Sequence, residues 1–320
     1  MGGLWEPEVD VLIPVYRPGE RFERLLERLW RQSYGINQVI VVNTGEEFWD
    51  EERFGGGGRV EVHHVTKEEF DHGGTRNLAA GYSDAQVMIF MTDDALPRDR
   101  YLVENLVRAL GGKGPGGETV AMAYARQLPD RDCRPVERLI RRFNYPGEGR
   151  VKTLRDLPEL GIRTFFASNS CCGYRRKVFD EMGGFISQAI FNEDMIYAAG
   201  VIKGGYAVAY EPKAKVTHSH NMTLVQQFRR NFDLAVSQAD HPEVFGGVPS
   251  EGEGIRMVGK VGRWLVQSGQ AGQIPRLIAG SGGKYLGYRL GKLYRRLPKP
   301  VILKCTMNRE YWERRWREQI

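Results

Sequence analysis

Short, nearly all-apolar runs alternate along the first hundred residues with segments whose apolar side chains repeat on a helical period. Residues 9–16 (VDVLIPVY) form the first run, and Arg17-Pro18-Gly19 closes it. Phe22, Leu25, Leu26, Leu29 and Trp30 then mark one face of a helix. Residues 38–43 are again apolar and imply a strand covered on both faces. Beyond the Gly55 to Gly58 loop, the spacing predicts a strand over 60–65, a helix over 75–82 and a strand over 86–92. Strand and helix alternating in this way imply an α/β fold with a mostly parallel, Rossmann-like central sheet. In such sheets ligands bind beyond the carboxyl ends of the strands.

Past Gly111 the pattern loosens. A Gly-rich turn (111–117) leads to a strand over 119–125, and 129–164 reads as a long, Arg- and Pro-rich loop with a helix over 136–143. A buried strand is expected over 165–174, helices over 177–182 and from 192 through 202, short strands at 206–210 and 215–218, and a helix over 223–237. A chain of 320 residues is long enough for one large domain with an appendage. We place the boundary at 240/241, with 1–240 as the principal domain and 241–320 as a basic, helical C-terminal region. Residues 255–320 carry fifteen Lys and Arg against Glu310, Glu313 and Glu318, hence +12; the whole chain is +6, which leaves −6 for the rest. A basic tail on an acidic body suits an anionic surface. No run of about 18 apolar residues is present to span a bilayer, and residues 1–7 lack the basic and apolar parts of a secretory leader. Four cysteines without metal-type spacing read as small buried residues and fit a reducing cytoplasm.

Four clusters of residues could carry chemistry. Thr92-Asp93-Asp94-Ala95 closes the 86–92 run, and a carboxylate at a strand end is a rigid place for a hard cation. Side chains of adjacent residues in extended chain point opposite ways, so one of the two acids is expected on the cation and the other elsewhere; loop-capping acids are the plainer alternative. Asp71-His72-Gly73-Gly74-Thr75-Arg76-Asn77 could let backbone approach a phosphate at a helix start, or be a capped turn. Asn192-Glu193-Asp194 opens a helix, where acids favour the dipole or one serves as a general base. Thr217-His218-Ser219-His220-Asn221 places two histidines on one side of an extended segment, as metal ligands or as structural residues.

Taken together and in this order, these clusters give a pattern that resembles the family 2 glycosyltransferases with the GT-A fold, over about residues 9–237. Within that family the chain is similar to bacterial rhamnosyltransferases, through residues 71–77, 91–95, 192–195, 218–224, Gln226-Gln227-Phe228 and Phe232-Asp233. The tail shares that likeness through residues 284–288 and Leu297-Pro298. The resemblance implies a nucleotide-sugar donor, dTDP- or UDP-linked, with Pro14, Tyr16, Asn43, Thr44 and Gly45 near base and ribose. Asp71, Gly74, Arg76, Asn77, Asp93 and Asp94 would line the diphosphate and sugar. It implies Mg²⁺ or Mn²⁺ on Asp94, with His218 as second ligand and His220 as the alternative. Asp194 would be the base, oriented by Glu193, in an inverting displacement that makes an α-L-rhamnoside from dTDP-β-L-rhamnose. The acceptor would be a glycan or lipid-linked glycan.

Apolar residues interleaved with bases in the tail suit a membrane surface on the cytoplasmic face, an ordinary helical core or a homodimer contact. A nucleotidyltransferase would carry a Gly-rich, basic loop after its first strand, where this chain has Val15-Tyr16-Arg17-Pro18-Gly19-Glu20. A nucleic-acid partner is not expected, because the body and its carboxylate clusters are acidic. An inactive sugar-binding relative would not be expected to keep Asp94, Asp194 and His218 together.

Overall fold

The computed structural model describes residues 5–248 and 251–318. The first four residues of the segment read for a leader, and the last two of the basic tail, lie outside them, as do residues 249 and 250. Chain contacts divide the molecule into two units. The first comprises Met1–Leu128, Tyr145–Ser187 and Glu193–His218; the second comprises Pro129–Asn144, Gln188–Asn192 and Ser219–Ile320. The strands are β1 (Val9–Tyr16), β2 (Gln38–Thr44), β3 (Val60–Val65), β4 (Val87–Met91), β5 (Leu96–Pro97), β6 (Val120–Leu128), β7 (Arg150–Lys152), β8 (Cys171–Arg175) and β9 (Ala207–Thr217). The longer helices are α1 (Glu20–Leu29), α2 (His72–Gly81), α3 (Leu102–Gly111), α4 (Pro135–Asn144), α5 (Glu193–Lys203), α6 (Leu224–Asp240), α7 (Glu251–Gln267), α8 (Ile274–Lys292) and α9 (Arg309–Arg317).

The first unit is built on one sheet of order β3-β2-β1-β4-β8-β6-β9-β5, with β7 against β9. Pairing is parallel across β3-β2-β1-β4 and β6-β9, and antiparallel wherever β5, β7 or β8 takes part. The other six strands therefore share one direction and bring their carboxyl ends to one edge, as expected for a mostly parallel sheet. The central strands are buried on both faces, as their continuous apolar runs require. Helix α1 contributes Phe22, Leu25, Leu26 and Leu29 to this core, and α3 contributes Leu102, Leu106 and Leu110. All four cysteines are buried and free.

The short strand β5 was not expected, and the stretch read as a loop over 129–164 also holds β7, which pairs with β9; three further elements depart from the sequence expectations. Helix α2 begins at His72 rather than near Thr75, because the Asp71 carboxylate caps it by accepting from the Gly74 N–H at 2.6 Å. The strand expected over 165–174 starts only at Cys171; the Ser168-Asn169-Ser170 segment leaves the ladder to bond side chains. The two short strands at 206–210 and 215–218 are one strand, β9. Its pairing with β6 jumps from Glu211 to Lys215 opposite the consecutive Ala125 and Arg126, a bulge around Pro212.

The second unit is helical. One cluster joins Phe232 and Val236 of α6 to Tyr294, Ile302, Tyr311 and Trp312, and another joins Val136 to Val261, Leu265 and Leu277. Buried Asp233 accepts from the Thr306 hydroxyl at 2.6 Å and the Met307 N–H at 2.8 Å. Helix α8 lies against α6 through Gly287 and Gly291, where a Cβ would collide with the carbonyl oxygens of Phe228 and Phe232. No helix among the described residues is long and apolar enough to cross a membrane.

Candidate active site

The carboxyl ends of β1, β2, β4, β6 and β9 carry Tyr16, Thr44, Asp93-Asp94, Gln127 and His218, so the sheet's direction gathers them at one edge. At the end of β1, Tyr16 is 46% exposed. Its ring meets Phe48 edge-on at 5.8 Å, and the Arg17 guanidinium lies over both rings, 5.2 and 4.4 Å from their centroids. Arg17 adopts φ +52, a left-handed conformation uncommon outside glycine. The result is an aromatic and cationic platform that a planar base could stack on. Beside it, buried Asn43 donates to the Gly45 carbonyl at 2.8 Å and faces His64 Nδ1 at 3.1 Å. Asn43 Oδ1 and Thr44 Oγ1 are buried without a hydrogen-bond partner. Pro14 sits within β1, opposite Val42.

At the end of β4 the two acids separate. Burial and the Asp94 charge push Asp93 up to about 6, against hydrogen bonds from the Tyr16 backbone and its own. Asp94 faces His218 instead, Oδ1 to Nε2 at 3.3 Å. His218 is buried, and its Nδ1 contacts Gln127 Oε1 at 2.9 Å. Gln127 donates from its amide nitrogen to Ser168 Oγ at 2.8 Å, which turns its carbonyl oxygen toward the ring. The Gln127 contact at Nδ1 leaves Nε2 as the ring nitrogen turned to the Asp94 carboxylate. A carboxylate and an imidazole nitrogen at this spacing could hold a cation, and the Gln127 contact is the kind of outer partner that orients a ligating histidine. Arg21 of α1 ties the two strand ends together through its bonds to the Asp94 carbonyl (2.8 Å) and the Thr217 carbonyl (3.3 Å). His220 follows two residues later and belongs to the second unit.

The second pair of acids stands in the first turn of α5. Arg76 approaches Glu193 at 3.3 Å from its buried position on α2, donates to the His72 carbonyl at 2.7 Å, and leaves its Nε buried without a partner. Burial works to raise Glu193, but the Arg76 and His72 charges hold it below the usual range, with help from its own backbone and Asn169. Asp194 moves the other way, pushed up by burial and then by the Glu193 charge. It accepts from the N–H groups of Asn169 (3.2 Å) and Met195 (2.8 Å). Asn169 also reaches Glu193 at 3.4 Å and accepts from the buried Tyr174 hydroxyl at 2.6 Å. One carboxylate is thus ionised and locked, while its neighbour is a more basic carboxylate. That division is what proton abstraction from a hydroxyl requires.

Two residues read as donor contacts have local partners. Asn77 gives its whole amide to the Phe185 backbone, donating to its carbonyl at 2.7 Å and accepting from its N–H at 2.8 Å. Gly74 bonds the Asp71 carboxylate, and Gly73 is glycine because a Cβ there would strike the Ile186 carbonyl oxygen. Arg17, Arg21, Phe48, Gln127 and Asn169 escaped the sequence reading. The polar Ser168-Asn169-Ser170 interrupting an apolar run was the signal available for Asn169.

A sequence model of the family Glycosyl transferase family 2 matches residues 10–183. The chain is 36% identical over 309 residues to the O-antigen chain rhamnosyltransferase RfbN of Salmonella typhimurium, covering 95% of this chain and 96% of that one. It is 34% identical over 311 residues to the O-antigen chain rhamnosyltransferase WbaN of Salmonella anatum, covering 96% of each. Among solved structures it resembles the mannosyltransferase PcManGT from Pyrobaculum calidifontis, in complex with GDP-Man and Mn²⁺, with a TM-score of 0.55. That likeness spans 96% of this chain and 86% of that one at 17% identity, and is therefore one of fold.

Proposed function

The chain belongs to glycosyl transferase family 2, and on that footing we propose that it transfers L-rhamnose from dTDP-β-L-rhamnose, with inversion, to a hydroxyl of an O-antigen glycan or lipid-linked glycan. The observation that carries the sugar assignment is identity along nearly the whole chain with two O-antigen chain rhamnosyltransferases.

In this reading the Tyr16–Phe48–Arg17 platform takes the base, and Pro14, Asn43 and Thr44 line the ribose. Asp71, Arg76 and Asp93 face the diphosphate and sugar. Asp94 and His218 would hold a divalent cation, Mg²⁺ or Mn²⁺, with His220 as the alternative to His218. The fit rests on the His218 Nε2 that Gln127 orients toward the Asp94 carboxylate. Such a cation supplies Lewis-acid neutralisation of diphosphate charge. Asp194 accepts the acceptor hydroxyl's proton as the new O–C1 bond forms. The C1–O bond to phosphate breaks, and its electron pair leaves with dTDP. Glu193, kept ionised by Arg76, raises the basicity of Asp194 and orients the site.

A donor screen tests the reading. The purified enzyme is given an O-antigen-type acceptor with dTDP-rhamnose, UDP-galactose, UDP-glucose or GDP-mannose, and nucleotide release is measured. We expect dTDP-rhamnose to turn over fastest and the product to be an α-L-rhamnoside by NMR. Faster turnover of any other donor would overturn the sugar assignment, and a β-linked product would overturn the single displacement.

A further inference from the structure

Helix α8 is built inside out. The face it turns to the interior carries Leu277, Gly280, Gly287 and Gly291, all buried. The opposite face carries Ile278, Tyr285 and Leu286, which are 61%, 51% and 59% exposed, and Leu293 just beyond its end is 44% exposed. At 100° per residue these four side chains share one stripe. A water-exposed helix ordinarily does the reverse, with large apolar groups inward and small or polar ones outward. Glycine packing against α6 explains the inner face and leaves the outer one unexplained.

The charge around the stripe identifies what covers it. Helix α8 contains Arg276, Lys284, Arg289 and Lys292 and not one acid. Arg289 lies within the exposed stripe, and Arg296 follows it. Helix α7 adds exposed Ile255 and Val266. It also forms a concavity of about 520 Å³ lined by Arg256, Gly259, Lys260, Arg263, Trp264 and Gln267; Arg256 is ion-paired with Glu253 of the same helix, so Lys260 and Arg263 are the α7 bases offered outward. A second copy of the chain docked by a twofold axis would set this base-bearing stripe against its own copy, and α8 carries no acid to complement it. An anionic bilayer surface meets every feature. Aliphatic side chains enter the acyl boundary, the Tyr285 ring sits at the interface, and Arg and Lys extend to the headgroups.

We propose that the outward face of α8, with the bases of α7, docks this protein in the plane of an anionic lipid surface. The reading is independent of donor, acceptor and catalytic assignments, and its test uses none of them. The full chain is sedimented with vesicles of phosphatidylcholine alone or mixed with phosphatidylglycerol, over a range of salt. Binding is expected to the mixed vesicles only and to weaken as salt rises. Arg289→Gln should weaken it roughly fivefold, and Ile278→Ser with Leu286→Ser by at least about tenfold. The substituted side chains are exposed, so the thermal midpoint and the mass by light scattering should match wild type. The proposal is overturned if wild type ignores mixed vesicles, or if the apolar double variant binds them as well as wild type does. A dimeric wild type that the same double variant converts to monomer would assign the face to a second copy instead.

Discussion

The molecule carries two pairs of adjacent acids, and they are set apart by opposite means. Asp93-Asp94 follows a strand, where successive side chains diverge. Asp94 turns to a histidine held by Gln127, and Asp93 turns back to the Tyr16 backbone and is pushed up to about 6. Glu193-Asp194 opens a helix, and there the separation is electrostatic. Arg76 and His72 hold Glu193 low despite its burial, while burial and that fixed charge raise Asp194. The first pair ends in a carboxylate beside an imidazole nitrogen, a pairing that suits a cation. The second ends in a carboxylate of raised basicity, which is a base's environment. The same dipeptide chemistry yields different capacities because one pair borrows a ligand and the other borrows a charge.

The sharpest way to break this contrast is to remove the basic member of the second pair. Asp194→Asn keeps the shape and can keep only one of the two backbone contacts, because the carboxylate meets the Asn169 N–H with one oxygen and the Met195 N–H with the other, and it cannot take a proton. Transfer is expected to fall about 10²–10⁴-fold, with donor affinity by calorimetry unchanged; a near wild-type rate would take the base role from Asp194. Next in size is the first pair. EDTA treatment should abolish turnover, and Mg²⁺ or Mn²⁺ should restore it in wild type. Asp94→Asn should need far more metal for the same rate, while Asp93→Asn should not. Equal metal dependence of the two variants would erase the division of labour within that pair.

Most of the sheet was legible because continuous apolar runs have few alternatives when buried on both faces, and β1, β2, β3 and β4 stand within a residue of where the pattern puts them. The four polar clusters were visible as positions but not as partners. Arg21, Gln127 and Asn169 lie 73, 91 and 25 residues from the groups they bond, and no local period encodes such a distance. The glycines of 71–77 suggested an approach for a ligand. They serve helix capping and the close passage of the Ile186 carbonyl, because a backbone neighbour and a phosphate make the same demand for a missing Cβ. In α8 the interleaved apolar residues left membrane surface, helical core and dimer contact open, and their periodicity did not show that the packed side is the glycine side.

A smaller effect tests the support beneath Asp94 and His218. Gln127→Leu removes the side-chain oxygen that meets His218 Nδ1 and orients the ring. Apparent metal affinity should fall about 10–100-fold, with the maximal rate at saturating metal close to wild type. An equal loss at all metal concentrations would mean that Gln127 serves packing rather than ligand orientation.

The finest test concerns pH. A raised Asp194 binds its proton more tightly than an ordinary carboxyl, so kcat/KM should rise with pH through an ionisation above the usual carboxylate range. Glu193→Gln deletes the negative charge that helps raise it and leaves Arg76 without its carboxylate partner. Both changes favour ionised Asp194, so the rising limb should move to lower pH even if the plateau rate falls. The sign is diagnostic, because a variant that merely disturbed packing would lower the plateau and leave the limb in place. Movement of the limb to higher pH would show that Glu193 does not act on Asp194 through its charge, and the contrast between the two pairs would then rest on the first pair alone.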